Sequence, residues 1–200
     1  MSIPDWFSQL VQDYLSEPQT EQLYRHYETL LRWNERMNLT TVKPGPEMVL
    51  RHYCESLFFA AHLPAQKSAI SVLDLGSGAG FPGVPMAILR PSWSIKLVES
   101  NQRKAVFLRE STRHINNIAV FANRIETIAD PADWVVSRAV DLESILVAAA
   151  RLAPNVGLML SEDDFASIRN DFGIAWGEAI RLPWGNRKLC VYGSFHVKRG

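Results

Sequence analysis

Cysteine is nearly absent: Cys54 and Cys190 are the only two in 200 residues. Two thiols so far apart exclude a disulfide framework and any multi-cysteine zinc site, and they suit a reducing cytosol. No uncharged apolar run approaches the length that spans a bilayer. The opening MSIPDWFSQL also lacks the basic start and apolar stretch of a secretory signal. Neither sign of charge is in excess, because 21 Lys and Arg offset 21 Asp and Glu. That balance argues against a protein held on a polyanion by bulk charge. Internal repeats and low-complexity segments are absent too. What is present, 47% hydrophobic and 21% charged residues, describes a globular chain able to bury a core, and excludes disorder and collagen-like repeats. The length suits one domain, or one domain with a modest extension.

Charge is unevenly distributed. Arg103, Lys104, Arg109, Arg113 and Arg124 face a single acid, Glu110, between positions 103 and 124. Arg181, Arg187, Lys188, Lys198 and Arg199 lie in the last twenty residues, while the stretch 161–180 is acidic. Such islands are ordinary for solvated faces and permit a polyanion partner without requiring one.

The first sixty-five residues read as a helical extension. Ile3, Trp6, Phe7, Leu10, Val11 and Tyr14 recur at helical spacing, Pro18 breaks that helix, and Thr20 caps a second one. A third helix is expected over about 47–62 after the loop Lys43-Pro-Gly-Pro46. From residue 66 the pattern alternates strand and helix. Strands are predicted at 70–75, 95–98, 118–121, 134–137, 156–160, 174–182 and 189–197, and helices at 82–89, 102–114, 141–152 and 161–172. The expected fold is therefore α/β: a Rossmann-like, mostly parallel seven-stranded sheet with helices on both faces. A short loop joins the last two strands, which makes the final strand antiparallel.

Asp74-Leu-Gly76-Ser-Gly78-Ala-Gly80-Phe-Pro-Gly83 falls where the first strand ends and a helix begins, the place where open parallel sheets bind ligands. Four glycines behind an acid exceed what a tight turn needs. Gly78-x-Gly80-x-x-Gly83 satisfies the dinucleotide pattern, with Glu99 twenty-one residues on for a ribose. Asp74-x-Gly76-x-Gly78-x-Gly80 matches the S-adenosyl-L-methionine loop instead. A dinucleotide brings a pyrophosphate to the helix N-terminus, whereas S-adenosylmethionine brings an ammonium and a sulfonium. An acid at 74 favours the cationic ligand, and the chain leaves no room for a separate hydride-acceptor domain.

These motifs together resemble the glucose-inhibited division protein B family of class I methyltransferases. The resemblance rests on Trp33-Asn34, Asn38-Leu-Thr40, Arg51-His52, Ser56-Leu57, the run Asp74–Pro85, Arg103-Lys104, Phe107-Leu-Arg109, Arg124-Ile-Glu126 and Val136-Ser-Arg138-Ala139. It implies transfer of a methyl group from S-adenosyl-L-methionine to N7 of a guanine in small-subunit (16S) ribosomal RNA, free or in a precursor particle. It also implies a cytoplasmic protein, here taken as a monomer, with no membrane partner and no metal. The chain departs from the family in two places. Leu160-Ser-Glu-Asp-Asp-Phe165 stands where a Lys-Gly pair is usual, and Glu55 where an Asp precedes Ser56.

The resemblance assigns Asp74, Gly76, Gly78, Phe81, Glu99, Ile125, Glu126 and Arg138 to the cofactor. Phe81 is expected at the methionine end and Glu126 at the adenine edge. Arg138 is the best catalytic candidate. Asn38, Arg51, His52, Arg103 and Lys104 are candidates for the RNA side, although each also reads as a structural or solvated polar residue. Neither an Asn-Pro-Pro-Tyr motif nor a Pro-Cys pair occurs, so adenine-amine and cytosine-C5 chemistry lack support. Two alternatives stay open: a methyltransferase with another RNA target, and a module that binds S-adenosylmethionine without turnover.

Overall fold

The computed structural model describes residues 2–138, 141–184 and 187–196. Ala139, Gly185-Asn186 and the end of the last predicted strand with Lys198 and Arg199 lie outside these residues. α1 (Asp5–Val11) and α2 (Glu17–Met37) open the chain. Pro18 does not separate them as a breaker. It sits in the first turn of α2, where its missing N–H costs nothing. The cap is Ser16 rather than Thr20, in a reciprocal box with Gln19. Thr20 lies inside the helix and its hydroxyl donates back to the Ser16 carbonyl at 3.0 Å.

The third expected helix is one continuous rod in three parts. α3 (Pro46–Met48) runs into a π-helical stretch, Val49–Cys54, and then into α4 (Glu55–His62). The wide turn closes with the Glu55 N–H on the Leu50 carbonyl, and it carries Arg51, His52 and Tyr53.

β1 (Ser71–Leu75) lies between β2 and β4 in the interior of a sheet whose order is β3-β2-β1-β4-β5-β8-β6, with β7 also paired to β8. The other strands are β2 (Ser94–Val98), β3 (Ile118–Phe121), β4 (Trp134–Ser137), β5 (Asn155–Ser161), β6 (Ile174–Trp176), β7 (Ile180–Arg181) and β8 (Lys188–Phe195). The first five are parallel; β8 runs antiparallel to β5 and also to β7, to which a short loop joins it. The sheet has eight strands rather than seven because the segment 174–182 is interrupted. The Gly177 N–H still bonds Tyr192 O at 2.8 Å, and pairing resumes only at Ile180.

Alternation along β1 divides the core. Val72 faces a cluster built with the helical extension, α5 (Gly83–Leu89) and α6 (Gln102–Thr112); Leu73 and Leu75 face α7 (Leu142–Leu152) and α8 (Glu162–Ile168). The α8 helix stops well short of 172, before Phe172 and Gly173, which both have positive φ. Phe7, Leu23, Leu30, Tyr53, Leu57 and Phe59 of the extension share one cluster with Val84, Met86 and Phe107. The extension is therefore fixed on the helix layer beside the carboxyl end of β1.

Candidate active site

The loop from β1 to α5 has two kinds of glycine. Gly76 and Gly78 have φ of +72° and +57°, and a Cβ at Gly76 would meet nothing within 4 Å. At Gly78 it would meet only the Gly76 carbonyl oxygen, at 3.8 Å. These two leave bare backbone facing open space, which a ligand can approach closely. Gly83 serves packing instead. A Cβ there would collide with Leu97 and come within 2.6 Å of Asp74 Oδ2. Its N–H donates to that oxygen at 3.0 Å.

Asp74 is wholly buried, and its other oxygen, Oδ1, has no partner. Burial pushes its carboxyl up to about 7, against the opposing hydrogen bond from Gly83. A buried carboxylate with an unused oxygen fits a cation and repels a phosphate. The loop amides agree. Gly76 and Ser77 donate to Val98 O, Gly80 and Phe81 to Ser77 O, and Gly83 to Asp74. No row of free donors remains for a pyrophosphate, so the dinucleotide reading loses its physical basis.

Glu99 follows β2 and is 7% exposed. Its Oε2 accepts from Gly78 N at 2.9 Å and its Oε1 from Asn101 N at 2.8 Å. Each oxygen keeps a lone pair, as a vicinal diol requires. A cleft of about 370 Å³ is lined by Gly76, Glu99, Ser100, Asn101, Ile125 and Glu126, among others. The structure thus brings together Gly76, Glu99, Ile125 and Glu126, with Gly78 hydrogen-bonded to their rim. Asp74, wholly buried, is not among the lining residues. The lining fits S-adenosyl-L-methionine, with Glu99 for the ribose and Ile125 and Glu126 at the far wall.

A second cluster lies at the end of β4. Leu75 and Ser137 are neighbours, with the Ser137 hydroxyl on Leu75 O at 2.7 Å, so Arg138 emerges beside the glycine loop. Its Nη2 donates to Glu55 Oε2 at 2.9 Å and its Nη1 to His52 Nδ1 at 3.1 Å. A guanidinium only donates, so Nδ1 accepts, and the ring proton is on Nε2, facing Thr40 Oγ1 at 2.7 Å. Burial first, then the Arg138 charge, lower the His52 pKa to about 3. The imidazole is neutral and fixed in one tautomer.

The other expected site residues lie outside this cleft. Phe81 does not face the cleft: its ring is buried, stacked on His52 at 4.9 Å and edge-on to Tyr53. Arg138 joins Glu55 and His52 rather than the cleft residues, and Asp141, its other possible partner, caps α7 through Ser144. Asn38 is the left-handed cap that ends α2, exposed at φ +49°. Arg51 is half-exposed and pairs with Glu47 at 2.8 Å. Arg103 and Lys104 start α6, where Asn101 Oδ1 caps their N–H groups, and neither makes an ion pair among the described residues. Arg187 is neutralised by Glu162 and Asp163 at 3.2 and 3.1 Å. Sequence reasoning missed Thr40 and Lys188 as partners of this cluster, and His26, whose buried ring bonds Tyr53 OH at 2.8 Å. Among the described residues, no group of three or more His, Cys, Asp and Glu is placed to hold a metal, and no helix is long and apolar enough to cross a membrane.

Solved structures support the fold. A SAM dependent methyltransferase from Aquifex aeolicus superposes with a TM-score of 0.60 at 17% identity, covering 76% of this chain and 94% of that one. A putative RNA methyltransferase from Pyrococcus horikoshii gives 0.55 at 16% identity, covering 88% and 98%. Sequence comparison is more specific. The ribosomal RNA small subunit methyltransferase G of Xanthomonas axonopodis pv. citri is 40% identical over 182 residues, 84% of each chain. That of Nitrosomonas europaea is 41% identical over 138 residues, 66% of this chain and 63% of the relative. The family model for rRNA small subunit methyltransferase G matches residues 19–161, a span that holds the glycine loop, Glu99, Glu126 and Arg138. With the cleft, the loop and these relatives in agreement, the chain belongs to the rRNA small subunit methyltransferase G family.

Proposed function

We propose that this protein transfers a methyl group from S-adenosyl-L-methionine to N7 of a guanine in small-subunit ribosomal RNA, free or in a precursor particle. The observation that carries the reading is the cleft that Glu99, hydrogen-bonded to the Gly78 N–H, lines together with bare Gly76, with buried Asp74 and its unpartnered oxygen ahead of the loop. When bound, the donor supplies an electrophilic methyl carbon on a sulfonium. Asp74 balances the cationic end, Glu99 receives the ribose hydroxyls, and Ile125 and Glu126 border the base. Residues 66–200 form the donor domain, and residues 1–65 wall its RNA side through Asn38, Arg51 and His52.

Guanine N7 has an in-plane lone pair and no proton to lose, so the chain needs no general base. His52 agrees with that, since Arg138 and Thr40 occupy both its nitrogens. The residues are left with alignment, which supplies most of such a rate. Arg138, held by Glu55 at the end of β4, is the group proposed to orient the target. Arg103, exposed, and Lys104, half-buried, at the start of α6 are the proposed phosphate contacts. The reading places the protein in the cytoplasm, acting as a monomer.

The test is titration calorimetry with S-adenosylmethionine, its demethylated product and NAD, followed by methylation of small-subunit RNA with labelled donor. Binding of the first two and label in the RNA are expected. Binding of NAD alone overturns the reading. Donor binding with no transfer to free or ribosomal RNA favours a non-catalytic module.

A further inference from the structure

Asn34 and Thr40 belong to motif pieces that the cleft beside Glu99 does not use. They meet in one bracket at the end of α2. The Asn34 side chain reaches six residues forward: its Nδ2 donates to Thr40 O at 3.0 Å, and its Oδ1 accepts from Thr40 N at 2.9 Å. Asn38, left-handed, turns the chain so that the two can meet. Thr40 is thereby fixed just past the helix, and its hydroxyl oxygen accepts from Val42 N at 3.1 Å. The same oxygen faces His52 Nε2 at 2.7 Å.

The His52 imidazole is held on three sides. Thr40 takes the Nε2 proton, Arg138 Nη1 donates to Nδ1 at 3.1 Å, and the Phe81 ring lies against its face at 4.9 Å, 20° from parallel. A guanidinium cannot accept, so Nδ1 is the bare nitrogen and the Nε2 proton needs an acceptor. Thr40 Oγ1 is the one acceptor it meets among the described residues. His52 therefore touches two parts of the donor domain at once: the glycine loop through Phe81, and the end of β4 through Arg138. Both His52 and Thr40 come from the helical extension, and 86 residues separate His52 from Arg138. Glu55 Oε2 takes the other end of the guanidinium, Nη2, at 2.9 Å. Two nitrogens pinned by two partners fix its plane.

We propose that Thr40 is a positioning residue: acting through His52, it sets the plane of the Arg138 guanidinium relative to the glycine loop. The assignment rests on the methyltransferase reading, in which Arg138 serves the reaction. It holds whether Arg138 meets the donor or the target, because Thr40 lies outside the cleft beside Glu99 and its effect passes through Arg138. A threonine that only closed the loop after α2 would need its contact with Val42 alone. The short bond to His52 gives it a second task.

Thr40→Val, Thr40→Ser, Arg138→Gln and the Thr40→Val/Arg138→Gln double variant test it, each with its melting transition measured. Valine keeps the β-branched shape and removes the acceptor; serine keeps the acceptor. Donor affinity is read by calorimetry, and transfer to small-subunit ribosomal RNA by kcat and KM. Thr40→Val should lower the same parameter that Arg138→Gln lowers, donor affinity or kcat, by about tenfold, the order set by one hydrogen-bond donor left unpaired. Thr40→Ser should match wild type, and the double variant should be no worse than Arg138→Gln alone. Ring-nitrogen NMR adds a readout independent of activity, with the His52 signals identified by their loss in His52→Gln. Wild type should show one tautomer, its proton on Nε2, and Thr40→Val a mixture of both. Losses that add in the double variant, a loss in a different parameter, or a lowered melting transition alone confine Thr40 to loop structure and overturn the proposal. An unchanged His52 spectrum in Thr40→Val overturns it too. A wild-type protein that binds no donor and methylates no RNA refutes the parent reading instead; the ring spectra of Thr40→Val and Arg138→Gln then still decide whether Thr40 and Arg138 hold one imidazole between them.

Discussion

Alanine at Gly83 sets two physical arguments against each other. Gly83 opens α5 without a positive φ, so helix propensity alone predicts that Gly83→Ala stabilises the protein by up to about 1 kcal/mol. The packing predicts the opposite. The new Cβ would collide with Leu97 and sit 2.6 Å from Asp74 Oδ2, and both side chains are fully buried. The α5 helix must then move off the sheet, an overpacking cost of about 1–3 kcal/mol. That movement stretches the Gly83 N–H bond to Asp74, the one hydrogen bond its carboxylate receives, at about 1–3 kcal/mol more. A net loss of about 1–5 kcal/mol lowers the melting temperature by roughly 2–20 °C in a chain of this size. Gly76→Ala is the control. It has open space but a positive φ, so it costs about 1–2 kcal/mol of backbone strain. Thermal melts of both variants, with and without S-adenosylmethionine, should show the larger drop for Gly83→Ala. They should also show a lost donor-induced upshift for Gly76→Ala. A Gly83→Ala protein melting at or above wild type would refute the packing argument.

Asp74 makes donor binding depend on pH. Its carboxyl is raised from the ordinary carboxylate range to about 7, so the folded protein holds that proton more tightly than the unfolded chain. Its contribution to stability is complete at low pH and is lost as pH rises through about 7. Donor affinity runs the other way: calorimetry should show it climbing toward pH 7 and levelling above, and Asp74→Asn should flatten both trends. Glu99→Gln removes the charge facing the ribose and should weaken donor binding at least about tenfold, read by the same titration. Arg103→Ala with Lys104→Ala should flatten the salt dependence of RNA binding by about 0.7–0.9 per lost phosphate contact while donor affinity stays unchanged; a wild-type slope would return both residues to plain surface.

The glycine loop, the order of strands and helices, and the antiparallel last strand were legible because each is written in a short window. Gly76, Gly78, Glu99 and Ile125-Glu126 could be grouped because parallel strands all end on one side of the sheet. Ser16 was passed over as a cap because Pro18 reads as a breaker until it is placed in a first turn. The ring contacts of Phe81 with His52 and Tyr53, nearly thirty residues earlier in sequence, were not legible from its loop. The Glu55 cluster was the least visible. Arg138 and Lys188 lie 83 and 133 residues from Glu55, and no local pattern marks a pairing across that distance. The acids after β5 read only as a departure from the usual Lys-Gly pair, whereas Arg181 and Arg187 from the facing hairpin pair with Glu162 and Asp163.

The most direct measurement of the central claim is base-level mapping of small-subunit ribosomal RNA after reaction with this protein and labelled S-adenosylmethionine. The account predicts one labelled guanine, with the methyl group on N7 and cleavable as a 7-methylguanine site, and no label with the Gly76→Ala protein. Label on an adenine amine or a cytosine carbon would contradict it, because the chain holds no residues for that chemistry at the end of β4.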